Sequence, residues 1–239
     1  MTKPYQVAIN HVEHETIVNR SRFICFLYPC SSIDEAKGFV KNLQVLHPQA
    51  SHHCHAFLTK AADNSLGYGY SDDGEPSGTA GKPMLAVLQG GGIGEVCAIV
   101  VRYFGGTKLG KGGLQRAYGG SVREAIAKLK TKTKVPTIHK IISCQYTQVD
   151  DVIRLVQSID GKIVSQNYTA DVTLQVSLPM TKVEEVAQQL QKQILDGSIE
   201  MESLGQQITI RIRENGSFSA GSAFLQPQFR PILRSIGEL

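Results

Sequence analysis

No stretch of this 239-residue sequence approaches the roughly 18 consecutive apolar residues that a membrane-spanning helix needs. The opening decapeptide, M-T-K-P-Y-Q-V-A-I-N, lacks a secretory apolar segment. Cysteine is scarce and unpatterned: Cys25, Cys30, Cys54, Cys97 and Cys144 are odd in number and include no C-x-x-C pair. That argues against a disulfide framework and for reduced thiols in a cytoplasm. Tryptophan is absent. Strong charge of either sign is missing too, and a net +4 permits contact with nucleic acid or ribosomes without requiring it. What is present, 41% hydrophobic and 19% charged residues, suits a soluble globular protein with a real core. The length fits one large domain or two ordinary ones.

Two glycine-rich stretches stand out. The first, Y-S-D-D-G-E-P-S-G-T-A-G-K-P from Tyr70, places Asp72, Asp73, Glu75, Ser77 and Thr79 among glycines and prolines. Such a density of Gly and Pro predicts a shaped loop whose amides face a ligand. The second, G-G-T-K-L-G-K-G-G from Gly105, is basic, and one apolar strand separates the two. Between them Thr79 is the expected N-cap of a helix with Pro83 in its first turn and Met84, Val87 and Leu88 inward. A helix start of this kind exposes unpaired N–H groups, so with Lys82 it can take an anion. The acids upstream are instead suited to a hydrated cation or a partner's donors.

The basic stretch meets the G-x-x-x-x-G-K pattern of a phosphate-binding loop at Gly105, Gly110 and Lys111. The next position must be Ser or Thr to ligate Mg²⁺, and it is Gly112, which argues against nucleotide hydrolysis. A looser phosphate cradle survives: Gly105, Gly106, Lys108, Lys111, Gly112 and Arg116, with Lys82 and Arg102 contributing. Arg102 interrupts the apolar run V-C-A-I-V-V-R-Y-F near its end, where it can reach the acidic loop.

The remainder of the first half reads as extended chain over residues 5 to 29, then a helix opened by a Ser32/Glu35 capping box and stopped at His47-Pro48. The stretch H-H-C-H-A-F-L-T reads as a strand with His53 and His55 on one face, His52 and Cys54 on the other. Two histidines on one face invite a metal, with Asp72 or Asp73 as a third ligand, but the spacing matches no zinc signature. Histidines on a half-polar sheet, one of them touching the acidic loop, are the better reading. No metal and no cofactor are expected. A helix over Leu114–Lys130 follows, and Lys128, Lys130, Lys132 and Lys134 read as its cationic end and a solvated linker.

From Thr137 the pattern is βαββαβ, that of a ferredoxin-like split βαβ domain, closed by a strand over Ser198–Glu202 or Gln207–Arg213. It carries no cluster of catalytic side chains and has few aromatics for base stacking, with Tyr146 and Tyr168 nearby. The expected division is therefore 1–136, 137–213 and a flexible tail, 214–239, whose Phe224, Leu225, Phe229, Ile232 and Leu233 are suited to docking on a partner.

The motifs Y-S-D-D-G-E-P-S-G-T-A-G-K-P-M and V-V-R-Y-F-G-G-T-K-L-G-K-G-G-L-Q-R-A-Y resemble the signatures of the IMPACT/YigZ family. The resemblance implies an α+β protein. Its N-terminal domain would have the ribosomal protein S5 domain 2-like fold, and its smaller C-terminal domain would be similar to the last domain of elongation factor G. It also implies a cytoplasmic role near translation and its stress control. The leading expectation is a regulatory protein rather than an enzyme, one that binds RNA, the ribosome or a protein partner through the two loops, with no membrane association. The competing one is a small-molecule enzyme acting on a phosphate substrate through Asp72, Asp73 or Glu75.

Overall fold

The structure is a computed structural model that describes residues 3–64, 66–193, 197–204 and 207–214. The tail from Asn215, expected to be flexible, lies outside the described residues. The chain divides into two compact units, Pro4–Lys134 and a second that runs from Val135 onward.

The first unit is an α+β sandwich around one antiparallel sheet. Its elements are β1 (Tyr5–Ala8), β2 (Val12–Val18), β3 (Ser21–Pro29), α1 (Ile33–Leu46), β4 (His52–Leu58), β5 (Tyr68–Ser71), α2 (Gly81–Gly90), β6 (Ile93–Gly94), β7 (Val96–Tyr103), α3 (Gly110–Ile126) and β8 (Thr131–Lys134). The main sheet has the order β2-β3-β7-β4-β5, which puts the apolar run at its centre. From Val96 to Val101 that strand is apolar because both of its faces are covered. Val96, Ala98 and Val100 join the core under α2 and α3. Cys97, Ile99 and Val101 join a second core under α1 with Ala36 and Leu43. The period-2 geometry of a strand divides one continuous run between two cores.

Local chemistry sets the ends. Ser32 Oγ accepts from the Glu35 amide at 3.2 Å, as a capping box requires, but the Glu35 carboxylate reaches the Ser31 amide at 2.7 Å, not that of Ser32. The basic run after α3 is not a linker. Helix α3 ends at Ile126, and Thr131–Lys134 pairs antiparallel with β1 in a small sheet of order β6-β1-β8. Lys134 Nζ lies 2.6 Å from Glu95 Oε1, so this lysine is held rather than merely solvated.

In the second unit β9 (Thr137–Cys144), α4 (Val149–Ser158), β10 (Lys162–Tyr168), β11 (Val172–Pro179) and α5 (Val183–Gln193) follow the expected split βαβ order. Val172, Leu174, Val176 and Leu178 are buried on one side of β11 against Val152, Leu155 and Val156 of α4. Two strands close the unit, not one: β12 (Gly197–Leu204) and β13 (Gln207–Glu214) form a hairpin. The sheet order is β10-β11-β9-β13-β12, with β13 parallel to β9.

Candidate nucleic-acid interface

The acidic loop follows β5 and turns through left-handed residues at Asp73 (φ 41°), Gly74 (φ 84°) and Gly78 (φ 73°). Asp and Gly are the residues that tolerate this region. The turn folds each carboxylate back on the protein. Asp72 accepts from the amides of Gly78, Ala80 and Gly81 at 2.8, 3.0 and 2.8 Å. It thereby caps α2, a role expected of Thr79, whose hydroxyl instead donates to the Pro76 carbonyl at 2.6 Å. Partial burial works to raise the Asp72 pKa, but the three backbone donors outweigh it and hold the carboxyl below its usual value. The positive end of α2 is thus met by this chain's own anion, which removes the free anion site expected there.

Asp73 accepts from the His53 amide at 2.6 Å, and its carbonyl faces His52 Nδ1 at 2.7 Å. A histidine does touch the acidic loop. Glu75 is buried, ion-paired with Arg102 and accepting from the Tyr118 hydroxyl at 2.8 Å. His52 Nε2 lies 3.8 Å from the same carboxylate oxygen. Arg102 therefore reaches the acidic loop, but it does so in the interior at 5% exposure. That burial rules it out as a surface phosphate contact. Burial, with Cys54 and Glu75 beside it, drives the Tyr118 pKa far up and keeps its proton available for the carboxylate. Ser77 is exposed at the loop's outer turn.

His53 and His55 pair with Val101 and Ile99, which places both on the α1 side of the sheet, away from the Glu75 cluster. Burial lowers the His55 pKa. No set of three potential metal ligands gathers among the described residues.

The basic loop has the opposite character. Gly105 is structural: its amide donates to Ser21 Oγ at 3.1 Å, and a Cβ there would fall 2.1 Å from the Arg20 backbone. Beyond it the chain opens outward. Gly106 (φ 82°) and Gly110 (φ 70°) have nothing within 4 Å of where a Cβ would stand. Helix α3 begins at Gly110, a turn earlier than expected, and among the described residues no side chain caps it. Its first amides therefore lack an intrahelical partner, and no described carboxylate meets its positive dipole end. Lys108, Lys111, Gly112 and Arg116 are exposed there, and so is Lys82 on α2. Among the described residues none of these four cations is in an ion pair.

Contacts between the helices bring the two starts to one end. Gln115 Nε2 donates to the Gly78 carbonyl at 3.3 Å, a Cβ on Gly119 would lie 3.8 Å from Pro83 Cβ, and one on Gly91 would lie 3.6 Å from Ile126 Cδ1. The contacts ascend together along both helices, so α2 and α3 run in the same direction. Of the sequence-predicted residues, Lys82, Lys108, Lys111, Gly112 and Arg116 thus belong to one exposed end. Arg102, Glu75 and Gly105 belong to the scaffold beneath. Sequence reasoning expected a histidine at the acidic loop, which is His52, but missed Gln115 and Tyr118. The last left a signal: it sits four residues after Leu114 and four before Val122, a polar tip on a buried helix face.

Comparison with known proteins adds the lineage. The Impact N-terminal domain matches residues 19–126, and a domain of unknown function, DUF1949, matches residues 142–193. The chain is 47% identical over 173 residues to the IMPACT family member YigZ of Escherichia coli (strain K12), covering 72% of this chain and 85% of that one. It is 39% identical over 186 residues to an IMPACT family member of Haemophilus influenzae, covering 78% and 90%. A crystal structure of a hypothetical protein superposes with a TM-score of 0.64 at 42% identity, over 80% of this chain and 93% of that one. No described helix is long and apolar enough to cross a membrane.

Proposed function

This chain belongs to the IMPACT family, and from that premise we propose that it is a translation-associated regulatory protein that binds RNA through the exposed start of α3. One observation carries the reading: an uncapped helix start opened by Gly106 and Gly110 and surrounded by Lys108, Lys111 and Arg116, with Lys82 at the same end. Open backbone N–H groups beside unpaired cations suit phosphate oxygens, and a row of cations suits a polyanion better than a lone phosphate. The acidic loop takes a supporting part. Asp72 and Glu75 are engaged with α2 and Arg102, so the loop anchors the surface rather than offering carboxylates for acid–base chemistry.

The test is co-sedimentation with ribosomes. Wild-type protein is expected in the pellet, and the Lys108→Ala/Lys111→Ala variant in the supernatant at the same ionic strength. Equal pelleting of the two by a folded variant would overturn the assignment.

A further inference from the structure

A second exposed feature adjoins the basic end. Tyr68 and Tyr70 stand on β5, an edge strand of the main sheet, and are 46% and 47% exposed. Neither hydroxyl bonds to a described group. The strand period puts both rings on one face, about 7 Å apart along the chain. The opposite face is closed, since a Cβ on Gly69 would lie 2.5 Å from the Phe57 ring. Two lysines bracket the pair. Lys60 Cγ lies 3.1 Å from where a Cβ on Gly67 would stand, one residue before Tyr68. Lys82 follows Gly81, whose Cβ would lie 2.8 Å from the Ser71 carbonyl oxygen, one residue after Tyr70. Both lysines are exposed and without an ion pair among the described residues. The acids of the loop that follows are engaged by the protein: Asp72 by the α2 amides, Asp73 by the His53 amide, and Glu75 in the core.

We propose that Tyr68 and Tyr70 form a stacking platform for two bases of single-stranded RNA, with Lys60 and Lys82 on the flanking phosphates. This rests on the reading of the α3 start as a phosphate contact and specifies the class of RNA. Exposed aromatic faces interleaved with unpaired cations suit a chain that is anionic along its backbone and aromatic along its side groups. A duplex hides its base faces, so the platform selects unpaired strands. Lys82, at the same end as Arg116 and Lys111, joins the platform to the α3 start.

The experiment is fluorescence-anisotropy titration with a short oligouridylate and with a duplex of equal length. For Tyr68→Ala/Tyr70→Ala, affinity for the single strand is expected to fall about tenfold per tyrosine, with duplex affinity and salt slope unchanged. Tyr68→Phe/Tyr70→Phe is expected to bind as wild type does. Because the chain has no tryptophan, Tyr70→Trp supplies a sole reporter whose emission should be quenched by the oligouridylate. Undiminished single-strand binding by the alanine variant, with Lys108→Ala/Lys111→Ala impaired, would overturn the platform and leave the α3 reading standing. If nuclease-treated lysate is passed over the immobilised protein, retention of a protein by wild type but not by the alanine variant, with RNA binding intact, would assign the tyrosines to a protein partner and also overturn it. No binding of RNA by wild type would overturn both.

Discussion

Arg102 and Glu75 form an ion pair inside the first unit, at 5% and 8% exposure. The guanidinium lies over the rings of Phe23 and Phe104, 5.4 and 5.5 Å from their centroids, and Tyr118 donates to the same carboxylate. The pair ties the acidic loop to the central strand and so fixes the ground from which α2 and α3 start. Breaking such a pair strands one charge where water cannot reach it.

Glu75→Ala and Arg102→Ala should therefore each lower stability by about 3–5 kcal/mol. The double variant should lose much less than the sum, because neither charge is left behind. Urea unfolding of the four proteins closes the cycle; additive losses would show that the two residues act independently.

Asp72→Ala should cost about 1–2 kcal/mol at neutral pH through the lost cap on α2. The sign of its pH dependence follows from the lowered carboxyl pKa. The unfolded chain takes up the proton first as pH falls. The stabilisation is therefore complete above the ordinary aspartate pKa, about 3.9, and is lost as pH drops through the folded value. Melts of the two proteins should converge in acid. A gap that persisted below that range would remove the carboxylate as the cause.

Much of this arrangement was legible. A lone Arg102 near the end of an apolar strand, in a chain whose acidic loop needs a counter-charge, points to the tie to the loop, and the alternation of Val172 to Leu178 points to β11. The misses share a cause, which is tertiary structure overriding a local rule. Thr79 looked like the cap by the local rule, yet Asp72 supplies it from across a turn whose left-handed residues no local rule specifies. Thr131–Lys134 looked like linker because its strand partner, Tyr5–Ala8, lies at the other end of the unit. Local propensity puts the start of α3 late because Gly110, Gly112 and Gly113 are poor helix formers, and the tertiary setting overrides that cost.

The glycines of the basic loop should separate into two kinds. Gly105→Ala meets the Arg20 backbone and should destabilise by at least about 2 kcal/mol. Gly112→Ala, whose nearest neighbour would be the flexible end of Arg116 at 3.5 Å, should stabilise α3 by about 0.5–1 kcal/mol. Thermal melts distinguish them, and equal losses at both positions would contradict the separation.

Lys140 is buried in the second unit, and its Nζ has no hydrogen-bond partner among the described residues. Burial brings its pKa down to about 8. Below that value both states hold the proton; between it and the ordinary lysine pKa, about 10.4, the unfolded chain holds more. Stability should therefore rise with pH above about 8, by an amount on the order of 1 kcal/mol after allowance for solvent screening. Lys140→Met should flatten that rise and raise the urea midpoint at neutral pH. A lower midpoint for the methionine variant would contradict an unpaired ammonium.

The salt dependence of RNA affinity tests the central claim most directly. Each phosphate contact to a single strand contributes about 0.7 to the slope of log K against log salt. Removing Lys108 and Lys111 together should reduce the slope by about 1.4 and weaken binding similarly across sequences. An unchanged slope in the paired variant, with wild-type affinity at every salt concentration, would place the phosphate contacts elsewhere and contradict the account.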